Sequence, residues 1–157
     1  MGGFMRRGGC GKGPAMTVPV SLRLTEARAA DPARGWVAAS HYAIIVRGVA
    51  VGSITLRHGR DATLVRYAGQ VGYTVAAAHR GYGHACAALR ALVPIARAAG
   101  FAELWITCAP DNHASRRTLE RAGAALVERV ALPPDSDMYA RGEREKLRFR
   151  IDVGTGG

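Results

Sequence analysis

The sequence predicts a mixed α/β protein, in which helices flank a β-sheet within a single domain. Segments with strand and helix patterns alternate along the chain, which excludes an all-helical or an all-β fold. The length of 157 residues suits one domain, since domains usually hold roughly 100–200 residues. Apolar residues make up 48% of the chain and charged residues 22%, close to globular averages, so the composition excludes wholesale disorder.

Both ends of the chain are rich in glycine. Residues 1–15, MGGFMRRGGCGKGPA, hold six of the 20 glycines and few side chains that could bury a core. We therefore expect residues 1–15 to form a disordered N-terminal extension. Residues 16–153 are expected to form the folded domain, and residues 154–157 a flexible tail.

The first half of the domain contains strand patterns and one Ala-rich stretch. Pro32 and Gly35 break the Ala-rich stretch into pieces, and Arg47-Gly48 is the expected turn of a hairpin. The expected elements are a strand at Val18–Leu24, helical pieces at Thr25–Ser40, and hairpin strands at His41–Val46 and Val49–Leu56.

The second half alternates strands with two helices. Gly69 and Gly72 mark bulges or close approaches within a long strand, and Pro94 is expected to kink or shorten the first helix. The expected elements are a strand at Val65–Ala77, a helix at Gly83–Ala99, a strand at Ala102–Cys108, a helix at Asn112–Ala122, and strands at Leu126–Val130 and Lys146–Val153.

The charge balance is strongly basic, with a net charge of +10. Such a balance favours polyanionic partners: nucleic acid, an anionic membrane or a phosphorylated ligand. No apolar run approaches the ~20 residues that span a bilayer, and no secretory signal follows Arg6 and Arg7. Cys10, Cys86 and Cys108 lack the spacing of metal ligands. We expect a cytoplasmic protein without a metal.

The segment Arg80-Gly81-Tyr82-Gly83-His84-Ala85 is the most informative in the chain. A predicted strand precedes it, and a predicted helix follows it at once. This order is typical of a phosphate-binding turn, because the first backbone N–H groups of a helix point at the ligand. A dinucleotide fingerprint would need Gly or Ala where Cys86 stands, and the Gly-Lys-Ser/Thr of a P-loop is absent.

This segment and its surroundings resemble the GNAT superfamily of acyl-CoA-dependent N-acetyltransferases, over roughly residues 18–153. Arg80-x-x-Gly83-x-Ala85 matches the family's (Arg/Gln)-x-x-Gly-x-(Gly/Ala) signature. The other matching segments are Val51–Ile54 for the second and third strands, Gly69–Val75 for the fourth strand, Ile106–Cys108 for the fifth, Asn112-x-x-Ser115 and Glu120-x-x-Gly123 for the fourth helix, and Leu147–Ile151 for the last strand of small bacterial members.

The resemblance implies a mostly antiparallel sheet, flanked by helices, whose fourth and fifth strands splay apart around acetyl-CoA. Backbone groups on the fourth strand would pair with the pantetheine arm like an added strand. An amide near Val75 would stabilise the oxyanion, and the amides that follow Arg80 would hold the pyrophosphate. The implied acetyl-CoA contacts are Tyr73, Val75, Ala76, Arg80, Gly81, Tyr82, Gly83, His84, Ala85, Asn112 and Ser115.

The sequence departs from the family pattern at two catalytic positions. Many members carry a Tyr as the acid in the slot that is Leu119 here, and the Glu often found on the fourth strand has no counterpart, Gln70 being the nearest polar residue. The catalytic residues therefore stay unassigned. The remaining candidates, none of them preferred, are His41, His79, Asp135, Asp137 and Tyr139.

Several of these residues also have plain structural interpretations. Asn112 is a good helix N-cap, and Cys108 on a buried strand is more typical of a core than of a nucleophile. The arginines of the second helix, Arg116, Arg117 and Arg121, form either a solvated face or a contact for the 3′-phosphate of CoA. The long segment Leu132–Glu145 is either a polar loop or a set of acids that attracts a cationic amine.

The functional prediction is an N-acetyltransferase in which an amine attacks the thioester of acetyl-CoA directly. The amine must first lose a proton, whereas the CoA thiol, with a pKa near ~8.5, leaves with little help. The acceptor is a small-molecule amine, an antibiotic or a protein N-terminus, and a homodimer fits the family. The alternatives are a non-catalytic acyl-CoA-binding regulatory module and a basic nucleic-acid-binding protein, which would need clustered Arg interleaved with exposed aromatics.

Overall fold

The computed structural model describes residues 18–154 and divides them into seven strands and three α-helices. The strands are β1 (Val20–Arg28), β2 (Ala39–Val46), β3 (Val49–Arg57), β4 (Val71–Val75), β5 (Glu103–Cys108), β6 (Ala125–Ala131) and β7 (Glu145–Asp152). The helices are α1 (His84–Ala98), α2 (His113–Arg121) and the single turn α3 (Asp137–Ala140). The predicted extension at residues 1–15 and residues 155–157 of the predicted tail lie outside the described residues.

The strands form two antiparallel sheets that meet at one point. The first sheet has the order β1-β2-β3-β4, and the second has the order β5-β7-β6. Directly before β4, the Gln70 amide donates to the Trp105 carbonyl oxygen on β5 at 2.7 Å. Beyond this contact β4 and β5 do not pair, because they belong to separate sheets. The mixed α/β fold with a split between the fourth and fifth strands is therefore confirmed.

The core lies on the side of the sheets that α1 covers. Alternation along the strands turns Ile54 and Phe149 to this side, where they meet Leu89 of α1, and all three are fully buried. Helix α1 also contacts α2, so both long helices stand on the same side as the end of β4. This arrangement brings the N-termini of two helices close to the split between the sheets.

The predicted helix at Thr25–Ser40 is wrong. Strand β1 continues to Arg28 past a bulge between Leu24 and Glu26, and its last residues pair with the start of β2. Only the 3₁₀ turn Pro32–Arg34 is helical in this stretch. The pairing overrides the Ala-rich composition because it supplies a partner for the backbone groups on both strands.

The predicted long strand at Val65–Ala77 is also wrong in its first half. Leu64–Ala68 forms one π-helical turn, and strand β4 has only five residues. Gly69 ends the turn at φ +81°, and a Cβ there would stand 3.0 Å from the Thr107 nitrogen. Gly69 is thus a point of close approach between the sheets, as its position in the sequence predicted.

Apart from the longer end of β1, the other predicted elements begin and end within one or two residues of their expected bounds. The hairpin turn falls at Arg47 and Gly48, with φ values of 51° and 78°. Helix α1 is not shortened by Pro94 and runs four residues beyond it. Leu92 and Ala96, on either side of the proline, are fully buried, and this packing compensates for the lost backbone hydrogen bond.

Candidate functional site

The predicted phosphate-binding turn borders a cavity of about 630 Å³ between the end of β4, the start of α1 and the side of α2. Nine of the eleven predicted contact residues line this cavity: Tyr73, Val75, Arg80, Gly81, Gly83, His84, Ala85, Asn112 and Ser115. Tyr82 and Ala76 do not line it. Tyr73 and Ser115, which are 42 positions apart in the sequence, therefore line the same cavity.

The edge of β4 that faces the split carries backbone groups not used by β3. In an antiparallel pair the hydrogen-bonded and non-hydrogen-bonded positions alternate. The Ala76 amide donates to the Val51 carbonyl oxygen at 2.9 Å, which makes Ala76 a position bonded to β3. By alternation the N–H groups of Tyr73 and Val75 point away from β3, toward the split.

Ala76, another of the predicted contacts, has its backbone groups bonded within the protein. Its N–H is bonded to Val51, and its carbonyl oxygen accepts from the His79 amide at 2.8 Å in the turn that follows. Both polar backbone groups of Ala76 are therefore used within the protein. The sequence could not show this, because it does not reveal which positions of β4 bond to β3.

The turn between β4 and α1 is held in shape by Arg80 and two glycines. The Arg80 Nε donates to the Val75 carbonyl oxygen at 2.8 Å, so this side chain ties the turn to the end of β4. Gly81 and Gly83 adopt φ values of 89° and 80°, which side chains disfavour. The turn then delivers the chain directly into α1 at His84.

The N-terminus of α1 presents donors to the cavity. No side chain caps the helix at Gly83, and the N–H groups of His84 and Ala85 lie in its first turn. The Tyr82 ring is exposed and stacks on the His84 ring, with centroids 5.9 Å apart. Partial burial, assisted by the charge of His79, lowers the pKa of His84, so this ring is neutral at pH 7.

The start of α2 forms the opposite wall. The Asn112 Oδ1 accepts from the Ser115 amide at 3.1 Å, so Asn112 is the N-cap of α2 and also lines the cavity. The Ser115 Oγ lies 2.8 Å from the Tyr73 hydroxyl oxygen and joins α2 to β4. Burial raises the pKa of Tyr73 to about 12, so its hydroxyl keeps its proton at neutral pH.

Cys108 at the end of β5 is buried next to this pair. Burial raises the pKa of the Cys108 thiol, and a hydrogen bond from Ser115 lowers it in part. The thiol is therefore protonated at neutral pH, which fits its interpretation as a core residue.

The cavity lining is cationic. Arg117 and Arg121, one turn apart on α2, line it together with Arg80 and His79, and the described lining contains no Asp or Glu. Like charges spaced four residues apart destabilise a helix, so this pair favours an anionic ligand. The neighbouring Arg116 instead bonds Glu120 at 3.6 Å and does not line the cavity.

The remaining catalytic candidates are scattered. His79 lines the cavity, whereas His41 lies on the other face of the first sheet, with its Nδ1 2.9 Å from the Thr55 Oγ1. Asp137 and Tyr139 belong to α3, and Asp135 precedes it, away from the cavity lining. Leu119 and Gln70 are both buried. Within residues 18–154 no cluster of His, Cys, Asp and Glu could hold a metal ion.

Cationic side chains, a free strand edge and a helix N-terminus meet where the two antiparallel sheets split, and this combination is typical of an acyl-CoA-binding α/β domain. The profile of the acetyltransferase (GNAT) domain matches residues 14–125. The chain therefore belongs to the GNAT acetyltransferase family. No curated protein matches the sequence.

Solved structures of this family share the fold. Mycobacterium smegmatis RimJ in complex with CoA-disulfide is 25% identical. The match covers 73% of this chain and 53% of that one, with a TM-score of 0.57. An acetyltransferase from Salmonella typhimurium that modifies the N-terminal serine of ribosomal protein L7/L12 is 21% identical (76% and 66% covered, TM-score 0.56). RimL, a ribosomal L7/L12 alpha-N-protein acetyltransferase, is 18% identical (90% and 97% covered, TM-score 0.62). The chain thus spans about half to two thirds of the length of the first two proteins.

No helix between residues 18 and 154 has the length and apolarity to cross a membrane.

Proposed function

We propose that the protein transfers the acetyl group of acetyl-CoA to a primary amine by direct attack. The observation that carries the proposal is the cavity at the split, where a free strand edge, a helix N-terminus and a cationic wall face one another. When bound, acetyl-CoA supplies an acetyl group activated as a thioester.

The described residues fit each part of that molecule. The amides of His84 and Ala85 suit the pyrophosphate, because the N-terminus of a helix attracts anions. The outward N–H group of Val75, nearer to that helix, suits an amide of the pantetheine arm, which would join the sheet as an added strand. Arg117 and Arg121 suit the remaining phosphate.

Two groups of the chain suit the reacting end. The Tyr73 N–H lies farther along β4 from the helix N-terminus than that of Val75 and would donate to the carbonyl oxygen, which becomes negative during attack. The Ser115 hydroxyl lines the cavity and would donate a hydrogen bond to the departing thiolate. The Tyr73 hydroxyl holds Ser115 in place and itself keeps its proton.

The absence of a carboxylate from the described cavity lining bears on the acceptor. Without a strong base, the reaction depends on amine that is already neutral in solution. An α-amine with a pKa of about 7.7–8.0 supplies roughly a hundredfold more neutral form near pH 7.5 than a lysine amine of pKa ~10.4. We therefore infer that the acceptor is an α-amine, such as a protein N-terminus, as in the L7/L12 enzymes named above.

Release of free thiol from acetyl-CoA, measured across a panel of α-amines and lysine-type amines, tests the proposal. A thermal shift with acetyl-CoA is measured in parallel. Turnover with α-amines is the expected result. A thermal shift without turnover on any amine would favour a regulatory acyl-CoA-binding module, a candidate that the missing carboxylate also supports. Absence of both signals would overturn the proposal.

A further inference from the structure

A second cationic cluster lies on the face of the first sheet opposite α1. Arg28 of β1 and Arg57 of β3 are both register partners of Ala39 on β2, so their side chains flank this small residue from either side. His41 stands two residues further along β2 and therefore on the same face. Because Ile54 and Leu56 alternate with Thr55 and point into the core, this face is the one away from α1.

The cluster carries positive charge that no described acid neutralises, although the Arg28 guanidinium lies over the Trp36 ring, 4.8 Å from its centroid. Neither guanidinium forms an ion pair within residues 18–154. Arg57 Nη1 donates to the Gly69 carbonyl oxygen at 3.0 Å and Arg28 Nη2 donates to that of Val37 at 3.4 Å. The buried Arg28 Nε and His41 Nε2 have no hydrogen-bond partner.

The two arginines also oppose each other. Burial and the charge of Arg28 lower the pKa of Arg57, which means that the folded protein bears an electrostatic cost at this position. Glu26 is beside His41 in the register, yet its carboxylate is not within 4.0 Å of either guanidinium. Paired guanidinium groups without a carboxylate are a typical receptor for an anion, which they bind through several charge-assisted hydrogen bonds.

We propose that Arg28, Arg57 and His41 bind a carboxylate of the acceptor, so that the protein selects acidic N-terminal segments. This proposal rests on the proposed function. The coenzyme cavity is walled by α1 and α2 on one side of the sheets, so an acceptor reaches the split from the other side, where the cluster lies.

The position of the cluster along β4 sets where the acceptor carboxylate falls. Arg57 lies over Gly72, since a Cβ at Gly72 would stand 3.2 Å from the Arg57 Nη2. Tyr73 is the next residue along β4, a distance of about 3 Å at ~3.3 Å per residue. An extended peptide covers about the same distance in one residue. The first or second residue of the acceptor is therefore expected to be Asp or Glu.

Two matched peptides test this, one with Glu and one with Gln at the second position. We expect the wild-type protein to acetylate the Glu peptide with a kcat/KM about tenfold higher, and Arg28→Gln and Arg57→Gln to bring the ratio close to one. Arg57→Lys, which keeps the charge, should retain part of the preference. Arg129→Gln is the matched control, because Arg129 is exposed on β6 of the second sheet and pairs with Glu145 at 2.7 Å.

A binding measurement separates this proposal from the proposed function. The same peptides with an acetylated N-terminus cannot react, and their affinity is measured by titration calorimetry with wild type and Arg57→Gln. Stronger binding of the Glu peptide by wild type alone supports the carboxylate site even if no amine is turned over. Equal binding of the two peptides by wild type overturns the site, whatever the acetyl-CoA assays show. Thermal melts confirm that each variant is folded.

Discussion

Gln70 and Trp105 are joined at two points, and this pair holds the two sheets together where they begin to split. The Gln70 amide donates to the Trp105 carbonyl oxygen at 2.7 Å, and the Gln70 Oε1 accepts from the Trp105 amide at 2.9 Å. The Gln70 Nε2 donates to the Gly59 carbonyl oxygen at 2.9 Å, and the backbone carbonyl oxygen of Gln70 accepts from the Arg57 amide at 2.7 Å. Gln70 is only 2% exposed, so its side chain is a structural link.

Replacing Gln70 with Ala should destabilise the fold by about 2–4 kcal/mol. The change leaves the Trp105 N–H and the Gly59 carbonyl without their side-chain partners, and each buried unpaired group costs roughly 1–3 kcal/mol. Urea denaturation followed by circular dichroism measures the difference. A loss below about 0.5 kcal/mol would contradict the structural role.

Replacing Gln70 with Glu should give a pH-dependent loss of stability. An ionised carboxylate would face the Gly59 carbonyl oxygen in a buried site, so the pKa of the new carboxyl should be raised in the folded state. A folded state with the raised pKa binds its proton more tightly than the unfolded chain does, and stability falls as pH rises through that pKa. Unfolding at pH 5 and pH 8 should therefore show a larger deficit at pH 8. Gln70→Ala is the control, since its deficit should not change with pH.

Replacing Ala85 with Glu should abolish acetyl-CoA binding without harming the fold. Ala85 lines the cavity in the first turn of α1, where a carboxylate interacts favourably with the helix dipole but competes with a phosphate. We expect an unchanged or slightly raised melting temperature and no thermal shift with acetyl-CoA. Ala87→Glu, in the same turn but outside the cavity lining, should keep the shift. Retention of binding by Ala85→Glu would mean that phosphates bind elsewhere.

Replacing Arg117 and Arg121 with Gln should weaken CoA binding more than binding of 3′-dephospho-CoA. Both side chains line the cavity, and no described acid there neutralises them. They therefore suit the 3′-phosphate of CoA. The double variant should lose about tenfold or more in affinity for CoA and much less for dephospho-CoA, as measured by calorimetry at one salt concentration. Arg116→Gln is the control, since Arg116 pairs with Glu120. Equal losses for both ligands would exclude a contact with the 3′-phosphate.

Replacing Tyr73 with Phe should remove a pH-dependent part of the stability. Burial raises the pKa of Tyr73 to about 12, above its ordinary value of 10.0, so the folded protein holds this proton more tightly than the unfolded chain. The stabilisation that the protonated Tyr73 contributes is complete below pH ~10. It is lost as pH rises toward 12, by roughly 2–3 kcal/mol in total. The difference between wild type and Tyr73→Phe, measured by denaturation between pH 8 and 12, should shrink with rising pH. A constant difference would show that Tyr73 ionises as freely in the folded state as in the unfolded one.

Local chemistry made the turn before α1 predictable. Gly81 and Gly83 adopt left-handed φ values, and α1 begins at the residue after Gly83, so the strand–turn–helix order was readable from residue types alone. The helix predicted at Thr25–Ser40 failed because β1 pairs with the start of β2, and that pairing depends on residues about 15 positions away. The bond between the Ala76 amide and Val51 on β3 likewise depends on strand register, which the sequence does not reveal.

The mixed fold, the order of most elements and the family follow from residue patterns alone, because hydrophobic periodicity, glycine positions and the Arg80–Ala85 pattern act over short stretches of chain. How distant groups combine depends on the folded chain. Folding makes Gln70 a link between sheets, joins Tyr73 to Ser115, and places Arg28 and Arg57 on either side of Ala39. These contacts join residues 11 to 42 positions apart. They depend on strand register and on which face of a sheet a helix covers, and neither can be read from the order of residues.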